Sequence, residues 1–205
     1  MRQLIVDVLP FEITPQQIDE SFKENNGKLI VTGVLQRAEA KNQNGRVYPR
    51  EVLTRESKKY ASTFIRESRA LGELDHPESS VVNLQNASHN IKKMWWDKND
   101  LLGTVEVLGT PAGNILKELF RSGIKLGISS RGLGSVEDIT EAGEGETQEV
   151  QPDFELIAFD FVSNPSTQGA FMFPVNESVD RERKPNECGK WCKVEHIIND
   201  IIRGV

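Results

Sequence analysis

Positive charge is in deficit along this chain: 25 lysines and arginines stand against 31 acidic residues, for a formal net charge of -6. Nucleic-acid binding draws on clustered basic side chains that displace counterions from phosphates, so this balance argues against a nucleic-acid partner. Long apolar runs are missing as well. None approaches the roughly 18 residues of a membrane-spanning helix. The opening MRQLIVDVLPFEITPQQ lacks the longer apolar region and small-residue cleavage site of a signal peptide. A protein that stays in a reducing cytoplasm, off the membrane, is expected.

Soft metal ligands are scarce too, with two cysteines and three histidines in 205 residues. Cys188, Cys192 and His196 recur every four residues in NECGKWCKVEH. On a helix that spacing would align three ligands on one face, but a structural zinc site needs a fourth and none is near. Two reduced thiols on an amphipathic helix are the simpler reading, and no metal is expected.

What is present suits one domain with a real core plus an appendage, since 37% of the residues are hydrophobic and 27% charged. KLIVTGVLQRAEA reads as a strand, and KNQNGRVYP after it as a polar turn. Pro49 can open a helix whose buried face is Val52, Leu53, Tyr60, Phe64 and Ile65. HNIKKMWWD and LLGTVEVLG, separated by KND, read as a hairpin. PAGNILKELFRSG is a short helix between Pro111 and Gly123, and FELIAFDFV a buried strand. Residues 1–175 form the domain, with 1–28 matching no pattern. Residues 176–190 are a charged linker and 191–205 an amphipathic helix. No internal repeat is present. Many strands with few helices make the class α+β or a β-barrel flanked by helices.

Three places carry chemistry. Asp160 sits inside LIAFDFV, where an unpaired carboxylate would be costly, so it is neutralised, holds a cationic or hydrogen-bonding partner, or is a buried aspartate capping a loop. His76 lies between Asp75 and Pro77, and proline restricts the backbone of the residue before it, which suits a side chain that must be aimed. Ser129 and Ser130 end an apolar strand in LGISSRGLGSV, with Arg131, Gly132 and Gly134 following. A nucleophilic hydroxyl needs a base and backbone N–H groups for the oxyanion, though serines and glycines also make ordinary turns. Arg131 stands where G-x-S-x-G would have its second glycine, so this is not a nucleophile elbow.

Taken together and in order, NQNGRVYP, GELDHP, MWWDKNDLLGTVEV and GISSRGLGSV resemble the prohead (capsid-maturation) serine proteases of large tailed bacteriophages, over about Leu29 to Pro174. That family is similar in fold to the herpesvirus assemblin proteases. The resemblance implies a closed seven-stranded β-barrel flanked by helices, and a serine endopeptidase inside the immature head, in the host cytoplasm. It implies His76 as base, Ser129 as nucleophile and an acidic third member on the strand after the variable loop, Asp160 or else Glu155. Backbone N–H groups of Arg131 and Gly132 are the oxyanion-hole candidates, and no cofactor is implied. Substrates would be scaffold or core proteins and the major capsid protein, and a homo-oligomer is left open. An inactive prohead assembly protein of the same descent is the rival reading. A Ser–Lys hydrolase using Lys125 is a weaker one, because Lys125 and Ser129 would be about 13 Å apart along a strand. Relatives cut after glutamate with an aliphatic residue two positions earlier. Self-cleavage is therefore expected at Glu177–Ser178, with Glu20–Ser21 as a second candidate.

Overall fold

The N-terminal residues that match no sequence pattern form strand β1 (Gln3–Phe11) and helix α1 (Pro15–Glu24). The computed structural model describes residues 3–11, 15–77, 79–124, 126–139, 147–163 and 172–174. The linker and terminal helix expected at 176–205, with Glu177, Ser178, Cys188, Cys192 and His196, lie outside these residues, as does Lys125.

Strand β2 (Leu29–Arg37) buries alternate residues from Leu29 to Val31 to Gly33, as period-two patterning requires. Beyond β3 (Arg46–Val47), helix α2 (Arg50–Tyr60) starts directly after Pro49 and buries Val52, Leu53 and Tyr60. The expected single helix does not continue. Residues Ala61–Ile65 wind as a π-helix, and Phe64 and Ile65 pack on the core from there. Strand β4 (Leu71–Glu73) leads to the predicted hairpin of β5 (Ala87–Asp97) and β6 (Asp100–Val107).

Helix α3 (Pro111–Arg121) is closed at both ends by local chemistry. Thr110 caps it by accepting the Gly113 N–H at 3.1 Å. At the other end the Ile124 N–H reaches Leu119 O at 3.0 Å, with Gly123 at φ 73° supplying the left-handed turn. The chain then runs through β7 (Leu126–Gly134), β8 (Val136–Asp138), β9 (Gln148–Val150), β10 (Glu155–Val162) and β11 (Met172–Pro174).

The closed seven-stranded barrel is corrected by this arrangement, which is mixed α+β with open sheets. Among the described residues eleven strands form three sheets, in the orders β1-β7-β10, β11-β2-β6-β5-β4 and β3-β9-β8. Closure between the first two would need a ladder from β4 to β10, and only one parallel bridge, Leu74 to Phe161, forms there. Beside it, the Phe159 carbonyl that a ladder would use instead accepts a hydrogen bond from His89 Nε2 at 2.8 Å. Apart from that bridge and the adjoining hydrogen bond from the Asp75 N–H to Phe161 O, the two sheets pack through side chains. Their shared core runs from Ile5 and Leu35 to Val105, Phe120 and Phe161.

Candidate active site

Both serines lie in mid-strand rather than at a strand end, because β7 continues to Gly134 and is paired on both edges, with β1 and with β10. Side chains alternate across a strand, so the two hydroxyls face opposite ways. Ser130 Oγ accepts a hydrogen bond from buried Gln36 Nε2 at 2.7 Å, tying β7 to β2. Ser129 Oγ lies 2.6 Å from His76 Nε2.

His76 is aimed by the turn that carries it. Asp75 adopts φ 70°, a left-handed conformation that aspartate tolerates better than most residues. Its Oδ1 accepts the His76 backbone N–H at 2.9 Å, and its own N–H donates to Phe161 O at 2.7 Å. His76 Nδ1 then stands 3.1 Å from Asp160 Oδ2. Since Arg131 donates to that same oxygen, Oδ2 acts as an acceptor and Nδ1 carries the proton, leaving Nε2 free to accept from Ser129.

Asp160 is directly opposite Ser129 in the β7–β10 register and is fully buried. Burial pushes its carboxyl up, but the His76 hydrogen bond, the Arg131 charge and the Glu73 N–H outweigh it and hold the group below its ordinary value. Oδ1 accepts the Glu73 backbone N–H at 2.9 Å and Arg131 NH2 at 3.1 Å, while Arg131 Nε donates to Oδ2 at 2.8 Å. Glu155, the other acidic residue of the strand, lies five residues before Asp160 in β10. It is about half exposed and pairs with Lys59 at 3.3 Å.

Only a backbone role is expected of Arg131 from its motif, yet its guanidinium is fully buried and bridges Asp160 and Glu73. The available signal was an arginine in a strand of small and apolar residues, which demands a buried acidic partner. Glu73, at the end of the three-residue β4, went unnoticed because a short acidic segment reads as surface. Gly132 backs onto the Phe154 ring, and Arg131 and Gly132 lie where the β10 register skips a residue between Leu156 and Ala158. Glu20 and Ser21 lie within α1, where buried Ser21 Oγ donates to Ile30 O and accepts from Ile30 N, each at 3.1 Å. Among the described residues no group of three or more His, Cys, Asp and Glu side chains is gathered as a metal site would require.

A hydroxyl bonded to an imidazole that is itself held by a carboxylate is an arrangement able to activate oxygen as a nucleophile. Comparison with known proteins points the same way. A family model described as prohead core protein serine protease matches residues 5–180. The prohead core protein protease of Enterobacteria phage T4 is 35% identical over 159 residues, covering 75% of this chain and 73% of that protein. The solved structure of the bacteriophage T4 capsid assembly protease matches with a TM-score of 0.66 at 28% identity, over 80% of this chain and 99% of that one. The chain thus belongs to the prohead core protein serine proteases, and it is a peptidase of the phage prohead acting in head maturation.

Proposed function

We propose that this peptidase works by acyl transfer through Ser129, with His76 as general base and then general acid, and Asp160 as the group that orients and stabilises the imidazolium. The continuous path from Ser129 Oγ to His76 Nε2 at 2.6 Å, and from His76 Nδ1 to Asp160 Oδ2 at 3.1 Å, carries this reading. Ser129 attacks the scissile carbonyl while its proton passes to Nε2. Collapse of the tetrahedral intermediate expels the amine, which takes that proton, and water repeats the sequence on the acyl-enzyme. The Arg131 and Gly132 N–H groups are the candidate oxyanion donors; they point to opposite edges of β7, so the interrupted β10 register favours that role for the one of the two that faces β10. The substrates are core and capsid proteins of the assembling head, in keeping with the T4 relatives.

Treatment with diisopropyl fluorophosphate tests the assignment, since Oγ attack on phosphorus expels fluoride while His76 takes the hydroxyl proton. Peptide mapping should find the label on Ser129. Asp160→Asn should fold yet react and cleave ~10⁴-fold more slowly, the loss known for such a change in a trypsin-like enzyme. Label on Ser130, or full activity of Asp160→Asn, rules the assignment out.

A further inference from the structure

Asp160 does not meet His76 alone: the same carboxylate is gripped by the buried guanidinium of Arg131, which would cancel its charge. A neutral Asp160–Arg131 unit is a poor partner for an imidazolium. The second carboxylate resolves this. Glu73 Oε1 accepts from Arg131 NH2 at 3.0 Å, and all three side chains are fully buried. Two carboxylates and one guanidinium leave one net negative charge beside His76.

We propose that Arg131 and Glu73 are a positioning pair for the triad, in which Arg131 fixes the Asp160 carboxylate against His76 and Glu73 offsets the charge that Arg131 brings. This rests on the Ser129–His76–Asp160 reading. The guanidinium uses each of its nitrogens: Nε and NH2 on Asp160, NH2 also on Glu73, and NH1 on Ser79 O at 2.6 Å. Arg131 thereby joins the nucleophile strand, the Asp160 strand and the segment after His76. Glu73 Oε1 also accepts the Asn83 N–H at 3.0 Å, whereas its buried Oε2 has no hydrogen-bond partner. A neutral side chain would satisfy a purely structural need with less desolvation, so the charge itself is the feature to explain.

Other charged or titratable groups around the site leave this balance in place. Asp75, exposed, bonds its oxygen to the His76 backbone. Tyr60, on α2, is kept protonated because burial raises its hydroxyl, and His89, on β5, is kept neutral because burial lowers it to about 4. Glu56, also on α2, caps the Leu156 N–H, four residues before Asp160.

The test is the pH dependence of the rate at which diisopropyl fluorophosphate modifies Ser129, measured on the full chain. Glu73→Gln keeps an oxygen for Arg131 and Asn83 but removes the charge. Its acidic limb should move to lower pH by roughly one unit, and its plateau rate should fall about tenfold. Glu73→Gln combined with Arg131→Met restores the net charge, so its limb should return to the wild-type position while its plateau stays low for want of positioning. Arg131→Lys, which keeps the charge and loses the fork, should show the wild-type limb with a reduced plateau. An unmoved limb in Glu73→Gln overturns the proposal, as does a double variant whose limb fails to return; Arg131→Lys carries the plateau test if the double variant does not fold. If wild type itself is not labelled at Ser129, the triad reading fails instead, and the two failures are distinguishable.

Discussion

Gly72 lies against the imidazole of His89 so closely that a Cβ added to it would overlap both that ring and the carbonyl oxygen of Phe159. The contact sets the approach of β4 to β10, and with it the spacing between the segment that carries His76 and the strand that carries Asp160. Backbone on one side and a ring locked by two hydrogen bonds on the other leave no room to yield.

Gly72→Ala is expected to destabilise by at least about 3 kcal/mol, or to prevent folding, as overpacking of a rigid site does. Gly109→Ala is the control, because nothing lies within 4 Å of its added Cβ, and it should stay within about 0.5 kcal/mol of wild type. Urea denaturation of the two variants decides the matter. A Gly72→Ala protein as stable as the control would show that the sheets can separate freely.

His89 gives the fold a pH dependence of its own. Burial lowers it from 6.5 to about 4, so the unfolded chain binds a proton there before the folded one does. Its contribution to stability is complete above pH 6.5 and is lost as the pH falls toward 4, by roughly 3 kcal/mol at about 1.36 kcal/mol per unit. Asp160 acts lower down, because its carboxyl lies below its ordinary value of 3.8. His89→Asn should be less stable than wild type at pH 7 and lose roughly 3 kcal/mol less between pH 6.5 and 4. Parallel stability curves for the two proteins would refute this.

Ser130 works for the fold. Ser130→Ala leaves buried Gln36 Nε2 without its acceptor and should cost about 1–3 kcal/mol. Fluorophosphonate reactivity should remain close to wild type in the folded protein. Loss of reactivity at full stability would give Ser130 a chemical role.

Self-cleavage is expected at Glu177–Ser178. At the other candidate bond, Glu20–Ser21, α1 holds Ser21 buried against Ile30, so a protease would first have to unwind the helix. Active enzyme aged beside Ser129→Ala and weighed intact should lose the segment from residue 178 to 205, while the variant keeps it. Equal masses would exclude this cut.

The hairpin of β5 and β6, the start of α2 and both ends of α3 were legible because proline, glycine and side-chain periodicity act over a few residues. So was the meeting of His76, Ser129 and Asp160, through an aspartate too costly for an apolar strand and a set of motifs in a fixed order. The mid-strand position of the serines, the pairing of β1 with β7 and the failure of β4 to form a ladder with β10 were not. Each depends on which distant segment arrives as a neighbour, and local patterning carries no record of that. Arg131 carried a signal, a charge in a strand of small and apolar residues, but nothing local named its acidic partners, Asp160 and Glu73, which lie 29 and 58 residues away.

Val8 faces Ser129 across one edge of β7, and Asp160 faces it across the other. Strand β7 is thus completed by the earliest described strand and by β10, made long after it. On the ribosome, Ser129 emerges well before Asp160 does, and the nascent chain holds its serine and histidine with no carboxylate to join them. Loop closure on that scale is slow compared with forming a helix or hairpin. On the proposed Ser129–His76–Asp160 mechanism, activity has to wait until synthesis has passed the last strand of the sheet, so the growing chain would be spared its own chemistry.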